Sequence, residues 1–272
     1  MGTAELVALM LADGRLPTGG HTQSAGLEPA VRAGLGADGK QLSDVTAYAR
    51  DRLRTVTRVD AAVAVVTRDV ILTGSSAEPP PSRGDWSEPA SPSRELWSPN
   101  HDPISRLDGE RAELGKPGGR TAAGLVVVEQ AWAARTSSQV VRAAVRRQGR
   151  LLLRLAGRVW PGVAGHLPVD GEVPRPIVLG VIAAVAGLSA EQLARVVAYD
   201  DVQTVVSASL KLLPVDPADA ATWLATLHDD IEELVADVAP LTDVDKIPAN
   251  AAPLIDIHAQ NHATERMRLF HA

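Results

Sequence analysis

The sequence has 272 residues, 45% of them hydrophobic, so it is long enough to bury a sizeable core. Its formal net charge of -6 argues against a general nucleic-acid binder, and its lack of Cys excludes disulfides and thiolate metal sites and fits a reducing cytoplasm. Aromatic residues make up only 3%, so Ala, Leu and Val must fill the core, which favours closely packed helices over an aromatic-rich sheet sandwich. Glu5 and Asp13 bracket a short apolar start, which does not read as a signal peptide. The apolar run Ile177 to Leu188 falls well short of the ~20 residues of a membrane span.

A first helix is predicted over residues 3–13 and a second over 24–33, joined by a loop that contains Leu16, Pro17, Gly19, Gly20, His21, Thr22 and Gln23. Pro17 disfavours helix at Leu16, and the two glycines permit close backbone approach. The loop then runs Ser24-Ala25-Gly26-Leu27-Glu28, which places Ser24 and Glu28 on one helical face. No Lys follows the glycines, as a phosphate loop requires. A hydrolase elbow needs Gly two residues before its Ser, where Thr22 stands. A protein-docking loop and a plain helix–helix turn both remain open on these residues.

A third helix starts near Ser43 and Asp44 and runs toward Leu72, with a break near 55–60. Residues 74–120 hold eight of the nineteen prolines and keep no helical or strand period. So little apolar surface cannot offset ordering entropy, so this stretch is predicted to be a disordered or loosely attached insertion. It contains two similar pieces around Trp86 and Trp97.

Helices are predicted again from Thr121 to Arg135 and from Gln139 to Val159. Between Gln130 and Val169 there are seven Arg and no Asp or Glu, so a strongly basic surface is expected there. Arg142, Arg146, Arg150, Arg154 and Arg158 recur at every fourth position and trace a slowly winding ridge. With no compensating acid at i±4, the ridge reads either as a solvated face or as a dock for an acidic protein, with Arg142, Arg146 and Arg150 as its contacts.

Ile177 to Leu188 reads as a buried helix, and Ser189 with Gln192 forms a capping box that opens a helix to about Leu213. Asp200 and Asp201 interrupt its apolar stripe and must face solvent or pair with an arginine. Asp216 caps a further helix with Pro217 at its start. Trp223, Leu227, Ile231, Leu234 and Val238 give it a continuous apolar stripe to about 238. Twelve acids against three bases between Ser189 and Lys246 predict an acidic surface here. In the tail, His258, His262 and Glu265 would share a helical face, but Ala259 replaces the Glu of a zinc-protease motif and no metal site is assigned.

The loop residues Leu16, Pro17, Gly19, Ser24, Gly26, Leu27 and Glu28 resemble the amino-terminal motif of the urease accessory protein F (UreF) family. His262, Glu265, Arg268, Leu269 and Phe270 resemble its carboxy-terminal pattern. Insertion 74–120 departs from the usual family length, and Leu213-Pro214-Val215-Asp216 stands where many members have Pro-Leu-Gly-Gln.

The resemblance implies an all-α, single-domain, non-enzymatic, cytoplasmic chaperone spanning 1–272, interrupted only by the insertion. It implies a homodimer that bridges the scaffold UreD (also called UreH) and the GTPase UreG and couples GTP hydrolysis to nickel insertion into apo-urease. Nickel and GTP would be handled by the partners, with no cofactor bound directly and no nucleic-acid or membrane partner. The partner-binding residues it implies are Pro17, Gly19, Ser24, Glu28, His262, Glu265, Arg268, Leu269 and Phe270, with the tail ordering when the scaffold binds; His21, at the mouth of the second helix, is a further candidate. A helical Ser hydrolase built on Ser24 and a helical DNA-binding regulator are the alternatives.

Overall fold

The computed structural model describes residues 2–37, 41–74, 119–168 and 171–270. The expectations for the insertion, including the Trp86 and Trp97 pieces, fall almost wholly outside these residues. The described residues form α-helices and short 3-10 turns, with no strand among them.

Helices α1 (Gly2–Leu11) and α2 (Leu27–Arg32) flank the amino-terminal loop. The second is shorter than predicted because Ala25 and Gly26 both adopt positive φ, which delays the helix to Leu27. Next come α3 (Gln41–Arg54) and α4 (Val56–Thr73), which break at Thr55 as expected. The Thr55 hydroxyl donates to the Asp51 carbonyl at 2.6 Å and so bonds back into the preceding turn. Beyond the insertion lie α5 (Gly119–Arg135), α6 (Gln139–Val159) and α7 (Arg175–Ala186).

The capping box predicted at Ser189 is present. Ser189 Oγ accepts from Gln192 N at 3.1 Å, Gln192 Oε1 accepts from Ser189 N at 2.9 Å, and α8 (Ala190–Leu212) follows. Asp216 caps the next segment as predicted. That segment is two helices, α9 (Pro217–Thr226) and α10 (His228–Val238), rather than one. The Thr226 hydroxyl donates to Trp223 O at 2.7 Å, and the buried Leu227 closes α9 with a bond to Leu224 O. The apolar stripe still holds across the break: Trp223, Leu227, Ile231, Leu234 and Val238 are all buried. Helix α11 (Pro253–Thr264) precedes the terminal tail.

Helix α4 is the centre of the molecule. It packs on α7, α8 and α5, and Ala61 through Val66 are all buried. The β-branched content of that run leaves strand open as a reading, but the interleaved alanines let α4 be covered on all sides as a helix. Gly180 of α7 makes a close crossing with α4. A Cβ there would lie 2.5 Å from the Ala64 carbonyl, so only glycine fits. Helix α6 packs on α7 and α11, whereas α9 and α10 pack on α8 and α3. The basic helix and the acidic pair are therefore supported by different partners.

Candidate functional site: the junction of the amino-terminal loop and the carboxy-terminal tail

The loop reaches α2 through a 3-10 turn, Gly20–Thr22, and two positive-φ residues. Ala25, at φ 51, is strained for a residue with a Cβ. Its carbonyl accepts from Tyr48 Oη at 2.8 Å and from Arg52 Nη1 at 2.9 Å, which hold the turn in place. Gly26 follows at φ 77, where an added Cβ would lie 2.8 Å from the Tyr48 hydroxyl. This conformation points the next residues inward. Ser24 and Glu28 are buried, and Ser24 Oγ accepts from Glu28 N at 3.3 Å.

The Glu28 carboxylate is where the two ends of the chain meet. Its Oε1 accepts from Leu269 N at 2.9 Å and its Oε2 from Phe270 N at 2.8 Å. Arg32 donates to Glu28 Oε1 at 2.6 Å, to the Met267 carbonyl at 2.7 Å, and to Glu265. His262 is also buried. Its Nδ1 lies 3.3 Å from Glu265 Oε2, and its Nε2 lies 3.3 Å from Phe270 O and 3.5 Å from Glu28 Oε2. Phe270 is only 4% exposed, and Lys211 Nζ lies 5.2 Å from its ring centroid.

A buried polar layer supports this junction from below. Asp201 accepts from Arg52 Nη2 at 2.6 Å and from Thr57 Oγ1 at 2.7 Å. Asp200 pairs with Arg175 at 3.0 Å, so both acids in the stripe of α8 find arginines. Asp60 accepts from Trp132 Nε1 at 3.1 Å. Burial works to raise all three carboxyls. It pushes Asp60 up to about 6 and raises Asp200, while at Asp201 the Arg52 charge, the hydrogen bonds from Arg52 and Thr57 and the Arg175 charge together outweigh it and hold the carboxyl below the usual range. Burial also pushes the Tyr48 phenol up to about 12. A cavity of about 150 Å³ lies among Arg52, Asp60, Arg135, Arg175 and Asp201, roofed in part by α11.

The structure brings Ser24, Glu28, His262, Glu265 and Phe270 into one cluster. Pro17 is exposed on the loop, Gly19 sits against Leu151 of α6, and nothing of the His21 side chain is among the described features. Arg268 and Leu269 point outward, with Leu269 60% exposed, and Met267 is more open still. Two expectations need correction. The tail does not wait for a partner: Phe270 packs into the core, and Glu28 holds the tail backbone. Nor is the arginine ridge free along its whole length. Arg142 donates to Thr136 O and Ser137 O at 2.5 and 2.8 Å. Arg146 is mostly buried, pairs with Glu129 at 2.9 Å and lies 5.1 Å over the Trp132 ring. Arg150 is 3.7 Å from Glu172. A four-residue step winds the row off the solvent face, so its first two members turn inward.

Arg32 was missed from sequence, although its i+4 position from Glu28 was the available signal. His258 does not join a ligand set, and no group of three or more His, Asp or Glu among the described residues is placed to hold a metal ion. The hydrolase alternative required a strand before Ser24; a 3-10 turn stands there, and Ser24 is fully buried. No helix among the described residues is long and apolar enough to cross a membrane.

The described residues form a helical body whose two terminal motifs are tied together by hydrogen bonds at Glu28. The UreF family model matches residues 110–228. The chain is 32% identical to "Urease accessory protein UreF" of a Mycobacterium species (strain JLS), over 96% of each chain. It is 30% identical to the proteins of that name from Mycolicibacterium vanbaalenii, over 96% of each chain, and Mycobacterium marinum, over 98% of this chain and 99% of that one. The chain belongs to the UreF family of urease accessory proteins, which are not enzymes.

Proposed function

We propose that this chain bridges the scaffold protein UreD (UreH) and the GTPase UreG, and couples GTP hydrolysis to nickel insertion into apo-urease. It acts as a cytoplasmic homodimer of single-domain protomers. Nickel and GTP stay with the partner proteins, and this chain binds no cofactor itself. The observation that supports this reading is the Glu28 junction. It fixes the loop and the tail as one surface, and leaves Leu254, Ile257, Met267 and Leu269 exposed on α11 and the tail. Large apolar side chains held outward by an ordered tail suit a protein partner.

The test is co-purification of the scaffold and the GTPase with the wild type and with a Met267→Ser, Leu269→Ser variant. Both substituted side chains are exposed, so the variant should melt as the wild type does and lose scaffold capture. Full capture by a correctly folded variant would remove this surface from the bridging role. Failure of the wild type to capture either partner would remove the bridging role altogether.

A further inference from the structure

We infer that the outer face of α6 docks a carboxylate-rich helical segment of a partner protein. The four arginines that carry this face are Arg147, Arg150, Arg154 and Arg158, all exposed. Only Arg150 has an acid near it among the described residues, the 3.7 Å approach of Glu172. The row keeps Arg150, Arg154 and Arg158 of the ridge read from the sequence, loses Arg142 and Arg146, which are held internally, and gains Arg147. The four instead follow steps of three, four and four residues, which keeps them on one side of the helix.

The row spans about 17 Å, with rises of roughly 4.5–6 Å between neighbours. Carboxylates at every fourth position of a partner helix repeat at the same rise, so the two rows pair along their length. The arginines repel one another at i,i+3 and i,i+4, a standing cost that an acidic partner relieves. Val159, 40% exposed, adds an apolar contact at the end of the row.

Two other polyanions fit less well. The net charge of -6 repels an extended nucleic acid once it passes the row. An anionic membrane would need an apolar face on α6 to insert, but Leu152, Leu153 and Ala156 are spent on the core. None of the four arginines bonds to the Glu28 junction, so the inference stands apart from the bridging role.

The experiment uses the full chain and a variant with Arg147→Gln, Arg150→Gln, Arg154→Gln and Arg158→Gln. Fluorescence anisotropy follows binding of a labelled helical peptide with Glu at every fourth position, at low and physiological salt. A DNA duplex and phosphatidylglycerol vesicles are run in parallel. The wild type should bind the peptide in a salt-sensitive way, and the variant about tenfold or more weakly. Its melting temperature should be equal or higher, because like-charge pairs have been removed. Equal peptide binding by the variant overturns the inference, as does tighter binding of duplex or vesicles than of peptide. A variant that melts lower or does not fold shows that these arginines are structural, which also overturns it.

Discussion

Glu28 is buried, and it is tolerated because its oxygens are filled by two tail N–H groups and an arginine. A buried acceptor of this kind is costly to remove, because its donors are left without partners. Glu28→Ala is expected to lower stability by about 3 kcal/mol and to expose the tail to proteolysis and hydrogen exchange at Leu269 and Phe270. A variant whose tail stays protected would show that Phe270 packing alone holds it.

Asp60 has the opposite character. Its carboxyl is raised from 3.8 to about 6, so the folded state holds this proton more tightly than the unfolded chain. The cost of ionising it is absent below about pH 4, grows between pH 4 and pH 6 and is constant above. Asp60→Asn keeps an acceptor for Trp132 and removes that cost. The variant should be more stable than the wild type by about 1–3 kcal/mol at pH 7.5, with the difference vanishing near pH 4. Asp201 runs the other way, since its contribution is present above 3.8 and lost as pH falls below it. Equal stabilities across the whole range would mean that Asp60 titrates like an exposed acid.

At the scale of elements, the tail shows how the sequence misled. Leu269 and Phe270 are neighbours near a terminus, and both read as groups kept for a partner. They divide the work instead, although both backbone N–H groups turn to Glu28. Phe270 points into the body and Leu269 points out. Deleting residues 266–272 should therefore destabilise the isolated protein. The lost Phe burial is worth about 1.5–3 kcal/mol, and the anchors to Glu28 and Arg32 add to it. Calorimetry should show a fall of roughly 5–10 °C. An unchanged melting temperature would restore the view that the tail orders only on a partner. Helix α6 teaches a related lesson. Its arginines share a type and a period but not an environment, because Trp132 and Glu129 draw Arg146 inward.

For the whole molecule, the described residues on either side of the insertion pack on one another through α4 and α5. Helix α4 ends at Gly74, where an added Cβ would lie 3.8 Å from the Thr121 hydroxyl of α5, so the two ends of the stretch are adjacent. Replacing residues 76–118 with a short Gly/Ser linker should leave helicity and melting temperature nearly unchanged, because loop length adds little closure entropy. Loss of helicity would show that the stretch belongs to the core. The order of the helices, the capping box at Ser189, the cap at Asp216 and the break near Thr55 were legible in the sequence, because each rests on neighbours a few residues apart. So was the family, from motifs at the two ends. The pairing of those ends at Glu28, the inward turn of Arg142 and Arg146, the split at Leu227 and the charge on Asp60 were not. Each depends on which distant groups share one small volume, and only the tertiary packing brings those groups together.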